Sequence, residues 1–261
     1  VYMGTSGWVS TVTDQNIVDT DAMIASVVGV QPGLYNYFAE LETAGKCLEW
    51  VRDHLALDEI NIYLDKHHVA DDPSSEYKSL YDYMSKVISE TPAGSGGVIF
   101  TPWLHGNRCP FEDAHARGMF FNIGLGTGKT ELIRAVVEGV CYHMRWFLET
   151  IKKRLKTGDR VRFVGGGALS PVTAGILADV LGVPVETVPE PQNVGAVGAA
   201  LAVAVGLGRI ADLKDAEALI KPDREYLPNP ESRAVHEKNY AAFTRLYAAN
   251  KKIFRHLNQI Y

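Results

Sequence analysis

Apolar residues follow two rhythms along this chain. As far as Phe38 they gather in short runs, Val1 to Val12, Met23 to Val30 and Leu34 to Phe38, separated by Asp- and Asn-rich or Pro-Gly turns. Short runs bounded by turn residues predict strands, and three in succession predict an antiparallel meander. The rhythm then lengthens. Cys47, Leu48, Val51 and Leu55 recur at helical spacing, which predicts a helix over 44–55 with Thr43 as its cap. His67, His68, Asp71, Asp72, Pro73, Ser74 and Ser75 make a polar connection into a second amphipathic helix over 74–89. The breaker run Thr91-Pro92-Ala93-Gly94-Ser95-Gly96-Gly97 closes it.

Beyond that break, strands and long helices alternate. Residues 98–101 and 118–123 read as strands, and 127–155 as a long helix with Leu132, Ala135, Val136, Val140 and Met144 on one face. A strand over 161–164, a helix over 171–181, a strand over 183–187 and a helix over 193–205 follow. The tail 211–261 is more polar and carries a final amphipathic helix over 231–257. Strand–helix alternation predicts the α/β class, a mostly parallel sheet covered by helices, entered through the meander.

Composition narrows the possibilities. With 261 residues, 46% of them hydrophobic and 22% charged, the chain buries a core and is not disordered. Its net charge of −5 and lack of a long Lys/Arg cluster argue against a nucleic-acid or anionic-membrane surface. The longest apolar stretch, Ala196 to Leu207, contains two glycines and falls short of the ~20 residues a membrane span needs. Cys47, Cys109 and Cys141 form no CxxC pair, so neither a disulfide framework nor a zinc site is expected and a reducing cytoplasm fits. Val1-Tyr2-Met3 reads as the middle of a strand, so the chain is expected to begin inside a fold.

The strongest local signal is Val161-Arg162-Phe163-Val164-Gly165-Gly166-Gly167-Ala168-Leu169-Ser170-Pro171. A strand enters three glycines, and Ser170-Pro171 then supplies an N-cap and a first-turn proline. One glycine satisfies a tight turn, whereas three let a ligand approach the backbone at a helix N-terminus. Met3-Gly4-Thr5-Ser6-Gly7 is a second candidate. It is a hairpin tip with exposed N–H groups and two hydroxyls, suited to phosphate oxygens, although taken alone it reads better as a plain hairpin turn. Gly45, in the first turn of the first helix, is a third; glycine there costs roughly 1 kcal/mol against alanine and invites a reason such as ligand approach.

Other patterns resolve into ordinary structure. Gly128-Lys129-Thr130 lacks the earlier glycine of a P-loop, because position 123 is Ile, and a turn capped by Thr127 explains it. The glycine triplet with Glu186 mimics a dinucleotide fingerprint, yet its third glycine would fall at Ser170. His67, His68, Asp71 and Asp72 read as a solvated loop rather than a metal site. Gly195, Gly198, Ala199 and Ala202 read as a helix face packed closely on the sheet.

Taken in order, these pieces resemble the C-terminal half of the FGGY family of carbohydrate kinases, in the actin, sugar-kinase and Hsp70 superfamily. The resemblance runs through Met3 to Gly7, Ala44 to Asp53, Phe100 to Pro110 with Ala116-Arg117-Gly118, Arg134 to Val140, Gly165 to Ser170, Ala178 to Val185 and Gly195 to Ala200. It implies a ribonuclease H-like domain, a mixed sheet with helices on both faces, over 1–261. The cofactors implied are ATP and Mg2+. The resemblance places Gly4, Thr5 and Ser6 at the phosphates, Gly45 near the nucleotide, and Gly166, Gly167 and Ala168 against the adenosine.

It further implies that the catalytic Asp lies upstream of Val1 and that an N-terminal sugar-binding domain is absent, so this chain alone is expected to be inactive. The glycine-rich turn and the loop before Pro110 look most like xylulose kinases, with gluconate, ribulose, fuculose, erythritol and glycerol kinases open. A non-catalytic nucleotide-binding module and a dinucleotide-dependent oxidoreductase are the other classes. The expected partner is a sugar held mainly by the other domain, with no nucleic acid, no membrane and a homodimer left open. Related kinases often carry an aromatic residue and a Gln where this chain has Thr173 and Gly175, and some carry an adenine-touching Asn where it has Pro171.

Overall fold

The computed structural model describes residues 1–56, 80–216 and 219–259. Strands β1 (Tyr2–Met3), β2 (Gly7–Thr13), β3 (Val18–Asp19), β4 (Ile24–Val28) and β5 (Tyr35–Leu41) form an antiparallel sheet in the order β1-β2-β5-β4-β3. The sheet is antiparallel as expected, but its strands are not in meander order: β5 pairs with β2 on one side and β4 on the other, so the third apolar run lies between the first and the second, and the two-residue β3 adds at the far edge. In β5, Tyr37, Ala39 and Leu41 are fully buried and their neighbours are not, the two-residue period of a strand with one face on the core.

Strands β8 (Val161–Arg162) and β9 (Val185–Thr187) run parallel, and β10 (Arg224–Tyr226) adds antiparallel to β9. A parallel bridge joins the two sheets. Tyr2 pairs Val164, with Met3 N donating to Val164 O at 3.0 Å and Val164 N to Val1 O at 3.0 Å. The result is one mixed sheet, and the chain segments leaving β1 and β8 emerge at the same sheet end. Crevices outside the carboxyl ends of strands are where open α/β sheets bind ligands.

Helix α1 (Gly45–Val51) continues into a π-helical turn (Arg52–Ala56), and α2 (Leu80–Glu90) follows. The polar connection with His67, His68, Asp71 and Asp72, and the start of the helix expected over 74–89, lie outside the described residues. The long helix α3 (Lys129–Lys152) packs on β2, β5, β6 (Ile99–Thr101) and α4 (Pro171–Leu181). Its buried face includes Ala135, Val136, Val140, Met144, Phe147 and Ile151.

Several expectations change. β6 pairs antiparallel with β7 (Met119–Phe121), so the parallel units begin only at β8; residues 102–118 hold no helix, and an antiparallel return needs none. Thr43 does not cap α1; its hydroxyl donates to Pro102 O at 2.6 Å and Ala44 takes the cap position. Gly128, not Thr127, precedes α3, and the Glu131 carboxylate accepts the Gly128 N–H at 2.9 Å. Helix α5 (Val194–Gly206) was expected to lie on the sheet, yet none of its residues is buried. A side chain at Gly195 or Gly198 would meet nothing within 4 Å, and Val203 and Leu207 are 60% and 72% exposed.

The polar tail is part of the fold. A short helix α6 (Leu213–Ala216) precedes β10, and α7 (Arg233–Leu257) buries His236, Tyr240, Phe243, Leu246 and Phe254. Trp103 lies 6.0 Å from Phe243 and 6.2 Å from Phe254 between ring centroids, so the last helix closes the core around the loop after β6.

Two polar groups sit deep in that core. Arg134 Nε meets Glu138 Oε1 at 2.7 Å, and Arg134 Nη1 donates to Ile88 O and Thr91 O at 2.9 and 2.8 Å. Glu138 also accepts from Gly94 N at 2.9 Å and Ser95 Oγ at 2.8 Å. The pair thus fastens the end of α2 and the glycine turn after it to α3. His143 is wholly buried; its Nδ1 accepts from Trp103 Nε1 at 3.2 Å, which assigns the proton to Nε2, donating to Cys109 O at 2.9 Å.

Burial holds the His143 imidazole down at about 4. The unfolded chain takes up that proton near pH ~6.5 and the folded chain does not, so stability is whole above that pH and declines as pH falls toward 4. The loss is of order 3 kcal/mol. His236, also pushed down by burial, adds to the slope. Thermal unfolding midpoints are expected to drop steadily from pH 6.5 to 4.5, and the drop to shrink in His143→Gln. An unchanged slope in that variant would assign it to other groups.

Candidate functional site

The β1–β2 hairpin pairs Met3 with Gly7 and turns through Gly4-Thr5-Ser6, with Gly4 N donating to Ser6 O at 2.9 Å. Behind the tip, Tyr2 stacks on Trp8 at 3.8 Å, which stiffens the hairpin. The tip is then pinned to the start of α1: Ala44 N donates to Thr5 O at 3.0 Å, Gly45 N to Gly4 O at 2.7 Å and Lys46 N to Thr5 O at 3.3 Å. These amides are spent on the hairpin, so the N-terminus of α1 is not the anion cradle. The same contact explains Gly45. A Cβ there would lie 2.5 Å from Gly4 O, so the hairpin backbone demands the glycine.

The three glycines after β8 differ from one another. Gly165 adopts φ +92°, donates its N–H to Pro191 O at 2.8 Å, and would place a Cβ 2.6 Å from Met3 O. Gly167 would place one 2.8 Å from Met3 Sδ. Backbone conformation and close packing of two parallel segments therefore account for both. At Gly166 φ is not positive and a Cβ would meet no atom within 4 Å, so neither strain nor packing calls for glycine. Its open side faces a cavity.

That cavity holds about 550 Å³, within the usual range for small-molecule sites. Gly4 and Thr5 of the hairpin, Gly45 of α1, and Gly166 and Gly167 of the turn all line it. Ser6 and Ala168 do not. Ser6 turns its carbonyl back to Gly4, and Ala168 is buried with its N–H on Gly165 O at 3.1 Å. Ser170 caps α4 as expected, accepting from Thr173 N at 3.2 Å. None of Gly128, Lys129 and Thr130 reaches the cavity.

The facing wall carries no mark in the sequence. Tyr81, Met84, Ser85 and Ile88 of α2 line the cavity opposite the glycine turn, and Ser85 Oγ meets Ser170 Oγ at 3.1 Å, closing the two walls together. Met84 and Ile88 recur at helical spacing and are indistinguishable in sequence from an ordinary core stripe. At the edge, Lys46 pairs with Glu49 at 2.6 Å, which raises the lysine pKa and keeps it cationic beside Gly45. Cys47, on the buried side of α1, is pushed up to about 12 by burial and is no nucleophile.

An apolar-walled cleft, a hydroxyl-bearing hairpin and a glycine turn thus meet at the ends of adjacent strands of a mixed α/β sheet. The chain belongs to the FGGY family of carbohydrate kinases, whose C-terminal domain matches residues 1–207. It is 25% identical over 252 residues to a xylulose kinase of Staphylococcus epidermidis, covering 96% of this chain and 47% of that protein. Among solved structures it is similar to a ligand-bound xylulose kinase from Lactobacillus acidophilus (TM-score 0.80, 27% identity, 96% of this chain and 46% of that one). A gluconate kinase from the same organism is also similar (TM-score 0.78, 26% identity, 95% and 46%). The chain spans about half the length of the curated relatives it matches. No helix among the described residues is long and apolar enough to cross a membrane.

Proposed function

We propose that this chain is the ATP-binding half of a sugar kinase that transfers the γ-phosphate of ATP to a sugar hydroxyl, with D-xylulose as the acceptor. The observation that carries this reading is Gly166, a glycine without a structural reason, facing a cavity at the carboxyl ends of β1 and β8. In this reading the phosphates lie against Gly4 and Thr5, held by the Thr5 backbone N–H and hydroxyl, and the Gly166-Gly167 turn takes the nucleoside. Similarity to kinases named for xylulose favours that sugar over gluconate.

Phosphoryl transfer needs the acceptor hydroxyl, its base and the γ-phosphate held in one closed cleft from which water is excluded. The chain supplies one wall. The second wall is proposed to come from the half of the relatives that this chain does not span, and to seat on the uncovered apolar surface of α5 around Val197, Val203 and Leu207. Mg2+ arrives with ATP. Among the described residues no three His, Cys, Asp or Glu side chains converge, and Mg2+ favours phosphate and water oxygens. No protein ligand to it is assigned.

The 261-residue chain is expected to bind MgATP and to release no ADP when xylulose is added, as read in a coupled pyruvate kinase and lactate dehydrogenase assay. Xylulose-dependent ADP release that disappears in Thr5→Val would show that this chain holds the acceptor machinery as well, and would overturn the half-site reading.

A further inference from the structure

We propose that α2 supplies the base platform of the nucleotide site, the Tyr81 ring stacking on a purine and the Ser85–Ser170 hydroxyl pair hydrogen-bonding its edge. The proposal deepens the nucleotide reading above and rests on it.

The two cavity walls offer different chemistry. The hairpin wall presents backbone and a hydroxyl, which suit phosphate oxygens and give a flat base nothing to lie on. A base needs an apolar face and a few well-placed hydrogen-bonding atoms. Helix α4, which follows the glycine turn, contributes Pro171 and Thr173 and no aromatic ring. Tyr81 is the one aromatic side chain among the described residues that line the cavity, and it is 43% exposed there.

Its orientation is arranged in advance. Arg52 Nη1 donates to Tyr81 Oη at 3.0 Å, the guanidinium lies 5.8 Å from the ring centroid, and Asp53 grips Arg52 through two bonds of 2.6 and 3.1 Å. The phenol tip is thereby satisfied from outside, and the ring is held without using the cavity side. Fixing a rotamer before the ligand arrives lowers the entropy cost of stacking on it.

One turn along the same face, Ser85 Oγ touches Ser170 Oγ, which already accepts the Thr173 N–H. Each hydroxyl has one proton and two lone pairs. Their shared bond uses one proton, so the pair keeps a donor and acceptors for a ligand, and the ring nitrogens and exocyclic groups of a purine present both kinds of partner. Helix α2 is itself anchored by the Arg134–Glu138 pair at its far end, so platform and hydroxyls move as one body.

The test separates base from phosphates by titrating the 261-residue chain calorimetrically with MgATP and, in parallel, with inorganic tripolyphosphate. Tyr81→Ala is expected to weaken MgATP binding by about ten-fold or more and to leave tripolyphosphate binding unchanged. Tyr81→Phe, which keeps the ring, should stay within about two-fold of the parent, and Ser85→Ala, which leaves the Ser170 cap intact, should weaken only MgATP, by about three-fold. Equal weakening of both ligands by Tyr81→Ala would mark a structural role and overturn the proposal. MgATP affinity unchanged in Tyr81→Ala but lost in Gly166→Val would overturn the platform while the nucleotide site stands. No change in either variant would overturn both.

Discussion

Gly166→Val is expected to abolish MgATP binding, by more than about 100-fold, while the chain stays folded with a thermal midpoint within a few degrees of the parent. The backbone at Gly166 is not left-handed and a Cβ there meets nothing, so the folded state accepts a side chain without strain. The cost falls on the ligand, because an isopropyl group fills the space into which the nucleoside must bring its atoms. Gly165→Val makes the opposite case. Its φ of +92° and the carbonyl of Met3 at 2.6 Å mean that backbone strain and overlap combine, and the variant is expected to lose several kcal/mol and to unfold at working temperature. Calorimetric titration and thermal unfolding of the two variants side by side separate binding from stability. Parent-like MgATP affinity in Gly166→Val would remove the cavity as the nucleotide site.

Glu138→Ala is expected to cost about 3–5 kcal/mol of unfolding free energy, the range for breaking a buried ion pair by removing one partner. Arg134 would remain in the core without its counter-charge, and Gly94 N and Ser95 Oγ would lose their acceptor. A small domain has only about 5–15 kcal/mol in total, so the loss moves the urea midpoint substantially. The slope of the transition should not change, since the same surface is exposed on unfolding. Surface pairs such as Lys86–Glu90 serve as the control, because exposed ion pairs contribute about 0–1 kcal/mol. A Glu138→Ala midpoint as close to the parent as that of the control would show that solvent reaches the pair. Arg134, which also holds Ile88 O and Thr91 O, would lose the carboxylate that orients it, so the effect bears on the fastening of α2, the helix that carries Tyr81 and Ser85.

Much of this molecule was legible from local rules. Helix α4 was read with its observed bounds because its signals are adjacent in sequence: a proline at the first turn, a serine cap before it and a glycine after its last residue, which takes the left-handed conformation at Gly182. The antiparallel strands of the first sheet and the long helix α3 followed from period alone, but the strand order did not, because period says nothing about which strand pairs with which and β5 comes to lie between β2 and β4. Expectations failed where a distant segment competes. Thr43 was available as a cap but finds a better acceptor in Pro102 O, and β6 and β7 pair with each other because the chain between them turns back instead of crossing over. Helix α5 has the composition of a buried helix and lies open, since apolar content states a need for cover without saying whether this chain provides it.

The candidate site divides the same way. Its glycines, hydroxyls and helix cap stand in the sequence because special backbone conformations and caps require particular residue types, and those requirements act within a few residues. Which glycine serves the ligand was decided only in three dimensions. Gly45, Gly165 and Gly167 are each accounted for by the β1–β2 hairpin, which reaches them from far away in the chain, and Gly166 alone of the turn is left facing open space. The α2 wall is likewise a tertiary fact. Ser85 and Ser170 become neighbours only when two helices pack across a cleft, and local periodicity records that a helix has an apolar face without recording what that face meets.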